Sequence, residues 1–425
     1  MKEKNQNSNI LDAANWRLLS PYAEAAPALS RDDDGSFRMQ SNGRRDCFGR
    51  LISDKVAITA GTGYRVRVEA YPADVRDEDV CLHVLLNWYD ENWDNPAYWP
   101  HITRRDYLKA RREGEVLVFD GHFHAPDGLI LANNPPVAAI YAELELCFKW
   151  SESGSVTWKQ PALWAAPLEK HHVRLASLYQ VPNGSKAEAL ARLLGRIDEA
   201  ATQRPDILCL NETALSPDMD FIGSAVTIDG DEVRALRQAA KRHAIYIIAG
   251  LAINEGGILY NTALLITPDG HIAGTYRKIH VPLVEAELGL TPGDEPGIFD
   301  ITVQGREIKI GIMICFDAEF PELTHMMYEN DVEIVFIPTN GPPELGMRAK
   351  DSGAYWVLAA GGDGPRIFAP SGDLLAIGEN LCIYEADLNG LQTREWTGPG
   401  PAHSDVKTAL RQERRRDLYI SWRTP

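Results

Sequence analysis

The sequence predicts two domains of different kinds: an antiparallel β-sandwich or jelly roll, followed by an α/β domain with a largely buried sheet. Runs of strand length, separated by turn-rich segments, follow one another from residue 16 to about residue 164. After about residue 172, apolar strands alternate with amphipathic helices. A chain of 425 residues is also longer than one hydrophobic core usually organises, which favours two domains.

The strands of the first domain are predicted from the alternation of polar and apolar residues. Residues 64–70 alternate strictly, so one face of this strand is expected on a core and the other in water. Further runs of strand length cover residues 80–89, 115–123, 137–150 and 155–158. Residues 103–113 are a candidate short helix among them.

The elements of the second domain alternate in type. Residues 173–179 are β-branched and apolar, as in a buried strand. Residues 185–202 predict a helix, because apolar side chains recur every three or four positions from Ala189 to Ile197. Ser185 can cap the N-terminus of this helix. A strand at 207–210, a helix at 231–243 and a strand at 245–253 follow.

Composition and charge exclude several classes of protein. With 44% hydrophobic and 24% charged residues, the chain has the composition of a folded protein rather than a disordered one. Its formal net charge of −17 disfavours nucleic acid and anionic membranes as partners, since both need a basic surface. No apolar run has the length of a membrane span, and none near the N-terminus resembles a signal peptide. The six cysteines form no CxxC pair, which is typical of reduced thiols in a cytoplasmic protein.

Three short segments of the second domain carry reactive side chains. Glu212 follows a buried-type strand, Lys278 lies in the segment Tyr-Arg-Lys-Ile-His-Val-Pro, and Cys315 ends an apolar strand. Pro321 can open a helix after that cysteine, so Cys315 is expected at a strand-to-helix turn with its sulfur lifted out of the sheet. A helix N-terminus and a nearby cation both lower a thiol pKa, which predicts a thiolate here. Each residue alone also fits a structural role, since a buried cysteine is usually a core thiol.

In order, spacing and local context, these segments resemble the nitrilase, or carbon–nitrogen hydrolase, superfamily, whose members use a Glu–Lys–Cys triad. The resemblance runs from about residue 172 to residue 419. Besides the three reactive segments, it includes residues 260–270, 290–295 and 348–357. It implies that the second domain is an α/β fold of the nitrilase-like αββα-sandwich type, which agrees with the alternation of strands and helices.

The resemblance implies a role for each reactive residue. Cys315 would attack the carbonyl or nitrile carbon and form a thioester or thioimidate. Glu212 would take the thiol proton, pass it to the departing nitrogen and later activate water. Lys278 and the backbone N–H of Phe316 would stabilise the developing oxyanion. No cofactor and no metal are implied.

A second glutamate that positions the lysine or the substrate is also implied. Glu285 in the segment after Lys278 is favoured, and Glu287 remains the alternative. Asn340, in the loop after an apolar run, is a further candidate on the substrate side. That loop is shorter than in related sequences and lacks their tryptophan, and Asn211 stands where a proline often precedes the catalytic glutamate. The resemblance therefore does not carry over a substrate.

The residues after Cys315 distinguish the branches of the superfamily. True nitrilases usually continue with Trp-Glu, whereas this chain continues with Phe316 and Asp317, as in the amidase and carbamoylase branches. The resemblance therefore implies a thiol amidohydrolase that cleaves a small linear amide or N-carbamoyl compound and releases ammonia or an amine. Two alternatives stay open: nitrile hydrolysis by the same triad, and a non-catalytic binding or scaffold protein that uses the β-sandwich.

The first domain resembles galactose-binding-like jelly rolls only in its pattern of strands. Trp88, Trp93 and Trp99 lie in a polar stretch and are candidates for stacking on a carbohydrate ligand, although tryptophan in a small β-sandwich more often belongs to the core. His122 and His124 have a spacing compatible with a metal, but no third ligand is evident and they are interpreted as ordinary histidines.

The expected division is 1–168 for the β-sandwich, 169–388 for the hydrolase domain and 389–425 for a C-terminal extension, with the change of domain at about 165–172. The extension contains an arginine-rich stretch at 411–416. Related proteins have a similar ending that often crosses a subunit interface, so a homodimer or higher homo-oligomer is expected. One short basic cluster in an acidic chain does not predict nucleic-acid binding.

Overall fold

A computed structural model describes residues 8–94, 102–129, 137–341, 345–389, 405–415 and 418. These residues divide into two compact units. Unit 1 comprises the described residues up to Glu169 together with those from 405 onward, and unit 2 comprises those from Lys170 to 389. The described part of the C-terminal extension therefore clusters with the N-terminal unit rather than forming a unit of its own.

Unit 1 contains two large antiparallel sheets and one small two-stranded sheet, formed by the strands called β11 and β12 below. Up to residue 165 its elements are β1 (Trp16–Leu19), β2 (Ala28–Arg31), β3 (Phe37–Gln40), β4 (Phe48–Ser53), β5 (Val56–Ala57), β6 (Gly63–Ala73), α1 (Glu78–Cys81), β7 (Leu82–Tyr89), β8 (Arg104–Tyr107), β9 (Lys109–Glu113), β10 (Val116–His124), β11 (Asp127–Leu129), β12 (Val137–Ala138), β13 (Tyr141–Lys149) and β14 (Ser155–Ala165). Sheet I has the order β1-β4-β13-β7-β8, with β5 beside β13, and sheet II has the order β2-β3-β14-β6-β10-β9. The inner faces of both sheets share one hydrophobic core, so the predicted β-sandwich is confirmed.

The strict alternation predicted for residues 64–70 is confirmed in β6. Val66 and Val68 are fully buried in the core between the sheets, whereas Arg65 is exposed. The candidate helix at 103–113 is wrong, because those residues form β8 and β9. There the buried Arg104–Asp106 ion pair and cross-strand pairing override local helical propensity.

The tryptophans of unit 1 differ in exposure. Trp88 is fully buried, and its indole N–H donates to Asp106 Oδ2 at 2.7 Å, so it belongs to the core and the prediction that it stacks on a ligand is wrong. Trp93 is 37% exposed and lies with the Lys55 ammonium 4.4 Å from its ring centroid. Trp99 lies outside the described residues. A carbohydrate ligand of this unit therefore stays a prediction that rests on Trp93 alone among the described candidates.

Unit 2 alternates strands and helices. Its elements are β15 (His172–Leu178), α2 (Lys186–Ala201), β16 (Ile207–Leu210), α3 (Phe221–Ser224), α4 (Asp231–His243), β17 (Tyr246–Glu255), β18 (Ile258–Ile266), β19 (Ile272–Arg277), α5 (Leu283–Glu287), β20 (Leu290–Thr291), β21 (Ile298–Val303), β22 (Arg306–Ile312), α6 (Pro321–Glu329), β23 (Ile334–Pro338), α7 (Gly346–Ser352), β24 (Tyr355–Ala359), β25 (Arg366–Phe368), β26 (Leu374–Ile377) and β27 (Leu381–Asp387). Sheet III has the order β19-β18-β17-β16-β15-β27, with β20 beside β18, and sheet IV has the order β21-β22-β23-β24-β25-β26.

The two sheets of unit 2 form the middle layers of an αββα sandwich. Side chains of both sheets share one buried cluster, which includes Ile207 and Ile248 from sheet III and Ile310 and Phe336 from sheet IV. A second cluster joins α2 and α4 to the outer face of sheet III, and a third joins α6 and α7 to the outer face of sheet IV. The predicted α/β fold with nitrilase-like layers is thereby confirmed.

Local signals predict the helices of unit 2 well. The predicted N-cap of α2 is confirmed, because the Glu188 N–H donates to Ser185 Oγ at 3.3 Å while Glu188 Oε2 accepts from the Ser185 N–H at 2.8 Å. The predicted helix at 231–243 is α4, and Pro321 occupies the first position of α6.

The C-terminal helix α8 (Val406–Glu413) packs in unit 1. Ala409 is buried in a cluster with Leu85 and Cys147, and Glu413 accepts a hydrogen bond from the Tyr107 hydroxyl. The subunit contact expected for residues 389–425 stays a prediction. Within the ranges that the structure describes, no helix combines the length and apolar character needed to cross a membrane.

Candidate active site

Three segments that follow strands of unit 2 carry the predicted reactive residues. Glu212 lies two positions after the end of β16, Lys278 directly follows β19, and Cys315 begins a 3-10 helix, Cys315–Glu319, after β22. Cys315 has φ 45, a left-handed backbone that is rare for residues other than glycine. Such strain is common where a turn must present a nucleophile, as the strand-to-helix turn predicts.

The Lys278 ammonium is shared between two carboxylates. Its Nζ donates to Glu212 Oε1 at 2.9 Å and to Glu285 Oε1 at 2.7 Å, and the lysine is fully buried. Asn261 Nδ2 donates to Glu212 Oε1 at 2.8 Å, and the Asn261 carbonyl accepts from the Lys278 N–H at 2.8 Å. A buried ammonium is stable only when it is paired in this way.

The charges of this cluster shift the pKa of both Lys278 and Glu285. Burial alone would lower the pKa of Lys278, but the Glu212 carboxylate, helped by Cys315 and Glu285, raises it above its ordinary value. Lys278 is therefore positively charged at neutral pH. Burial raises the pKa of Glu285. Lys278 lowers this pKa but offsets only part of the rise, and the negative charge of Glu212 raises it further.

The Cys315 thiol is protonated at neutral pH. Burial and the neighbouring Glu212 carboxylate raise its pKa to about 11, although Lys278 and a hydrogen bond with Thr339 act in the opposite direction. The expected thiolate is therefore wrong: the helix that follows is only a short 3-10 turn, and burial outweighs the nearby cation. Glu212 is also a hydrogen-bond partner of the thiol, so it can accept the thiol proton.

Asp317 joins the lysine segment to the cysteine turn. This fully buried carboxylate accepts from the Tyr276 hydroxyl at 2.7 Å, from the His280 N–H at 2.8 Å and from the Ile314 N–H at 3.0 Å. Because Tyr276 and His280 flank Lys278, this one side chain links the segment that carries Lys278 to the turn that carries Cys315. The sequence identifies Asp317 only as a branch signature and does not predict this role.

Thr339 is a residue of the site that the sequence does not single out. It directly follows β23, is fully buried, and its hydroxyl bonds the Cys315 thiol. The same hydroxyl donates to the Gly341 carbonyl at 3.1 Å. A threonine at the end of an apolar run carries no sequence signal of its own, so only the three-dimensional contact reveals it.

The remaining candidates lie in different surroundings. Glu287 is exposed on α5, whereas Glu285 on the same helix turns inward to Lys278. Asn340 is exposed and bonds Asn211 at 3.4 Å and Thr213 at 3.3 Å rather than the triad. The Phe316 amide lies in the first turn of a helix, where N–H groups lack intrahelical acceptors and can donate to an oxyanion.

Asn211 stands where related sequences often have a proline, and its side chain forms hydrogen bonds with the neighbouring backbone. Its Oδ1 accepts from the Gln180 N–H at 3.1 Å, and its Nδ2 donates to the Glu212 carbonyl at 3.2 Å. Gly250 of β17 lies against this backbone, because a Cβ there would approach the Asn211 carbonyl oxygen to 2.5 Å. The chain around Glu212 is therefore held without the proline.

Glu212→Gln is expected to make Cys315 more reactive towards iodoacetamide at pH 8, although it removes the proposed base. The Glu212 carboxylate raises the thiol pKa, so its loss lowers that pKa and increases the thiolate fraction. The measurement is the alkylation rate of the Cys315 peptide between pH 6 and 10, by mass spectrometry. Glu287→Gln, which removes the same charge from an exposed position of α5, is the control. An unchanged or higher alkylation midpoint in Glu212→Gln would show that the carboxylate does not act on the thiol.

The chain is similar to known proteins over part of its length. The carbon-nitrogen hydrolase family matches residues 174–378. The omega-amidase NIT2-A of Xenopus laevis is 30% identical over 268 residues, covering 55% of this chain and 92% of that protein. A nitrilase of Pyrococcus abyssi is 29% identical over 183 residues, covering 42% of this chain and 68% of that protein. The crystal structure of an amidase from Nesterenkonia sp. aligns with 60% of this chain and 98% of its own, at 20% identity and a TM-score of 0.49.

Proposed function

Because the chain belongs to the carbon-nitrogen hydrolase family, we propose that it cleaves a non-peptide C–N bond of a small linear amide or N-carbamoyl compound through Glu212, Lys278 and Cys315. The observation that carries the proposal is the buried Lys278 ammonium, which is bound to Glu212 beside the Cys315 thiol. A general base, a nucleophile and a fixed positive charge within one buried cluster are the parts that acyl transfer requires.

The first step forms a thioester. Glu212 takes the thiol proton as Cys315 Sγ attacks the carbonyl carbon, so the nucleophile is made at the moment of attack. Lys278 and the Phe316 N–H stabilise the negative charge on the carbonyl oxygen. The protonated Glu212 then gives its proton to the nitrogen, the C–N bond breaks, and ammonia or an amine leaves.

The second step restores the enzyme. A water molecule loses a proton to Glu212 and attacks the thioester, and Lys278 again stabilises the oxyanion. The C–S bond breaks, Cys315 recovers its proton from Glu212, and the product is released as a carboxylic acid from an amide or as a carbamic acid from an N-carbamoyl compound. A Cys315 thiol that is protonated before substrate binds suits this order of steps, since the Glu212 carboxylate accepts and returns the proton in both the acylation and the hydrolysis step.

Glu285 is proposed to position the lysine. Its Oε1 accepts a hydrogen bond from Lys278 Nζ at 2.7 Å, while Glu212 accepts another from the same ammonium. With two carboxylates around one ammonium, the lysine stays charged and its rotamer is fixed, which is what a preorganised oxyanion donor needs. Glu287, exposed on the same helix, makes no such contact with Lys278 among the described residues.

Nitrile hydrolysis is the second candidate reaction, and the match to a protein named nitrilase favours it. The same triad could form a thioimidate from a nitrile. The match to a protein named omega-amidase and the residues after Cys315 support amides instead. The non-catalytic alternative is set aside, because the chain belongs to an enzyme family and all three triad positions are filled.

An ammonia-release screen over linear amides, N-carbamoyl amino acids, ureas and nitriles tests the proposal. The informative comparison is one acyl group presented as amide and as nitrile, with Cys315→Ala as the background. We expect at least tenfold higher kcat/KM for the amide. A tenfold preference for the nitrile would overturn the assignment to amides, and ammonia release that persists in Cys315→Ala would overturn the triad.

A further inference from the structure

Glu212 and Cys315 both lie at turns with a rare backbone conformation. Cys315 has φ 45, and Thr213, which directly follows Glu212, has φ 44. The left-handed region is a genuine outlier for a β-branched residue such as Thr213, and it persists only where the surroundings hold the residue in place. Since a small displacement of a reacting group is costly in catalysis, the contacts that hold Thr213 bear directly on the proposed base.

The side chain of Asn340 connects the two residues that flank Glu212. Its Oδ1 accepts from Asn211 Nδ2 at 3.4 Å, and its Nδ2 donates to Thr213 Oγ1 at 3.3 Å. Asn211 and Thr213 are buried, whereas Asn340 is exposed. These three residues are called the asparagine bridge below. One carboxamide from the loop after β23 therefore joins the chain before the base to the chain after it.

Both ends of the asparagine bridge are packed against neighbouring backbone. Asn211 Oδ1 accepts from the Gln180 N–H at 3.1 Å. A Cβ at Gly361, which follows β24, would approach the Asn340 carbonyl oxygen to 2.8 Å and the Tyr179 hydroxyl to 2.7 Å. The backbone of Asn340 is therefore confined on that side although the residue is exposed, and its carboxamide can fix the position of what it bonds.

The residue before Asn340 contacts the nucleophile. Thr339 is fully buried, and its hydroxyl bonds the Cys315 thiol. Because Thr339 and Asn340 are consecutive, a displacement of one also displaces the other. The end of β23 thus contacts both partners of the proton transfer, the thiol through Thr339 and the chain on either side of Glu212 through Asn340.

We propose that Asn340 is a positioning residue that holds the Glu212 carboxylate in place to accept the Cys315 proton. It acts through Asn211 and Thr213, and the proposal rests on the proposed function, in which Glu212 is the base. A residue that acts through the base changes the rate of the chemical step and leaves substrate binding unchanged. This role therefore differs from the contact with substrate that the sequence predicts for Asn340.

Steady-state kinetics of Asn340→Ala with the best amide test the proposal. We expect kcat to fall about tenfold while KM stays within about twofold of wild type. A tenfold loss equals ~1.4 kcal/mol, which is what one or two neutral hydrogen bonds contribute. Asn330→Ala, which removes an exposed asparagine hydrogen bond to the Met326 carbonyl at the end of α6, is the control. A raised KM with unchanged kcat would overturn the proposal in favour of a contact with substrate.

Alkylation of Cys315 by iodoacetamide measures the same positioning without any substrate. Thr213→Val keeps the branched shape of the side chain but removes the acceptor for Asn340. Thr213→Val and Asn340→Ala are each expected to lower the pH midpoint of alkylation by about 0.5 unit, because a displaced Glu212 carboxylate raises the thiol pKa less. The double variant should shift the midpoint no further than Asn340→Ala alone, since both substitutions remove the same hydrogen bond.

The two measurements separate failure of this proposal from failure of the proposed function. An unchanged alkylation midpoint in both variants would overturn the positioning role even if the enzyme hydrolyses amides. Ammonia release from no substrate would overturn the proposed function, whereas lowered midpoints would still support the asparagine bridge. An equal shift in Asn330→Ala, or additive shifts in the double variant, would show that Asn340 does not act on Glu212 through Thr213.

Discussion

Cys315→Ala is expected to lower ammonia release from the best amide by at least about 10⁴-fold, because removal of a covalent nucleophile leaves only binding and oxyanion stabilisation. The fold should persist, since Cys315 is not part of a fully buried strand and alanine removes a single atom beyond Cβ. The measurement is kcat at saturating amide, together with the thermal unfolding midpoint of the variant.

Cys382→Ala is the matched control for loss of a thiol in the same unit. Cys382 is buried in β27, and the other four cysteines outside the active site are buried as well. Its replacement leaves a small cavity and should change stability rather than kcat. If Cys382→Ala abolished turnover while Cys315→Ala retained it, the nucleophile would have been assigned to the wrong residue.

Lys278→Met is expected to lower kcat roughly 150-fold, the equivalent of ~3 kcal/mol of lost oxyanion stabilisation. The methionine side chain, one atom shorter, keeps most of the length of the lysine but removes its charge. Because Lys278 also lowers the pKa of Cys315, that pKa should rise further in the variant. Steady-state kinetics and the pH dependence of Cys315 alkylation measure the two effects separately.

The same substitution should also destabilise unit 2 in a pH-dependent way. Glu212 and Glu285 would remain buried without their cation, which typically costs ~3–5 kcal/mol. The pKa of Glu285 is already raised by burial and would rise further, so the loss of stability is largest at pH 8 and shrinks as the pH falls towards 5. Arg277→Gln, which removes the neighbouring charge paired with Glu255 at 2.6 Å, is the control. Equal unfolding midpoints of Lys278→Met and wild type at pH 8 would contradict the buried pairing.

Features with a local cause could be predicted from the sequence. Ser185 and Glu188 form a capping box within one turn, and the apolar spacing of α2 and α4 needs no distant contact. The helix predicted for residues 103–113 is wrong for the opposite reason. Their strand conformation depends on pairing with β7 and β10, which lie elsewhere in the chain. Tertiary pairing decided the structure of that segment against its local preference.

The candidate site likewise contains residues that the sequence predicts and features that only the folded structure reveals. Glu212, Lys278 and Cys315 could be found because each follows a recognisable strand and together they match a family pattern. Spacing alone could not decide whether Glu285 or Glu287 is the second glutamate. Both lie on one short helix, and only packing turns Glu285 inward to Lys278. The protonated state of Cys315 and its contact with Thr339 could not be predicted, because they arise from burial and from a strand that follows later in the chain.

Mass spectrometry of the enzyme quenched during turnover tests the covalent mechanism most directly. With a slow amide substrate, the Cys315 peptide is expected to gain the mass of the acyl group, which is the amide less ammonia, and to lose it again as substrate is exhausted. The adduct should be absent from Cys315→Ala and from the peptides of the other cysteines. Continued hydrolysis with no adduct on Cys315, or with an acyl group on another residue, would contradict the mechanism.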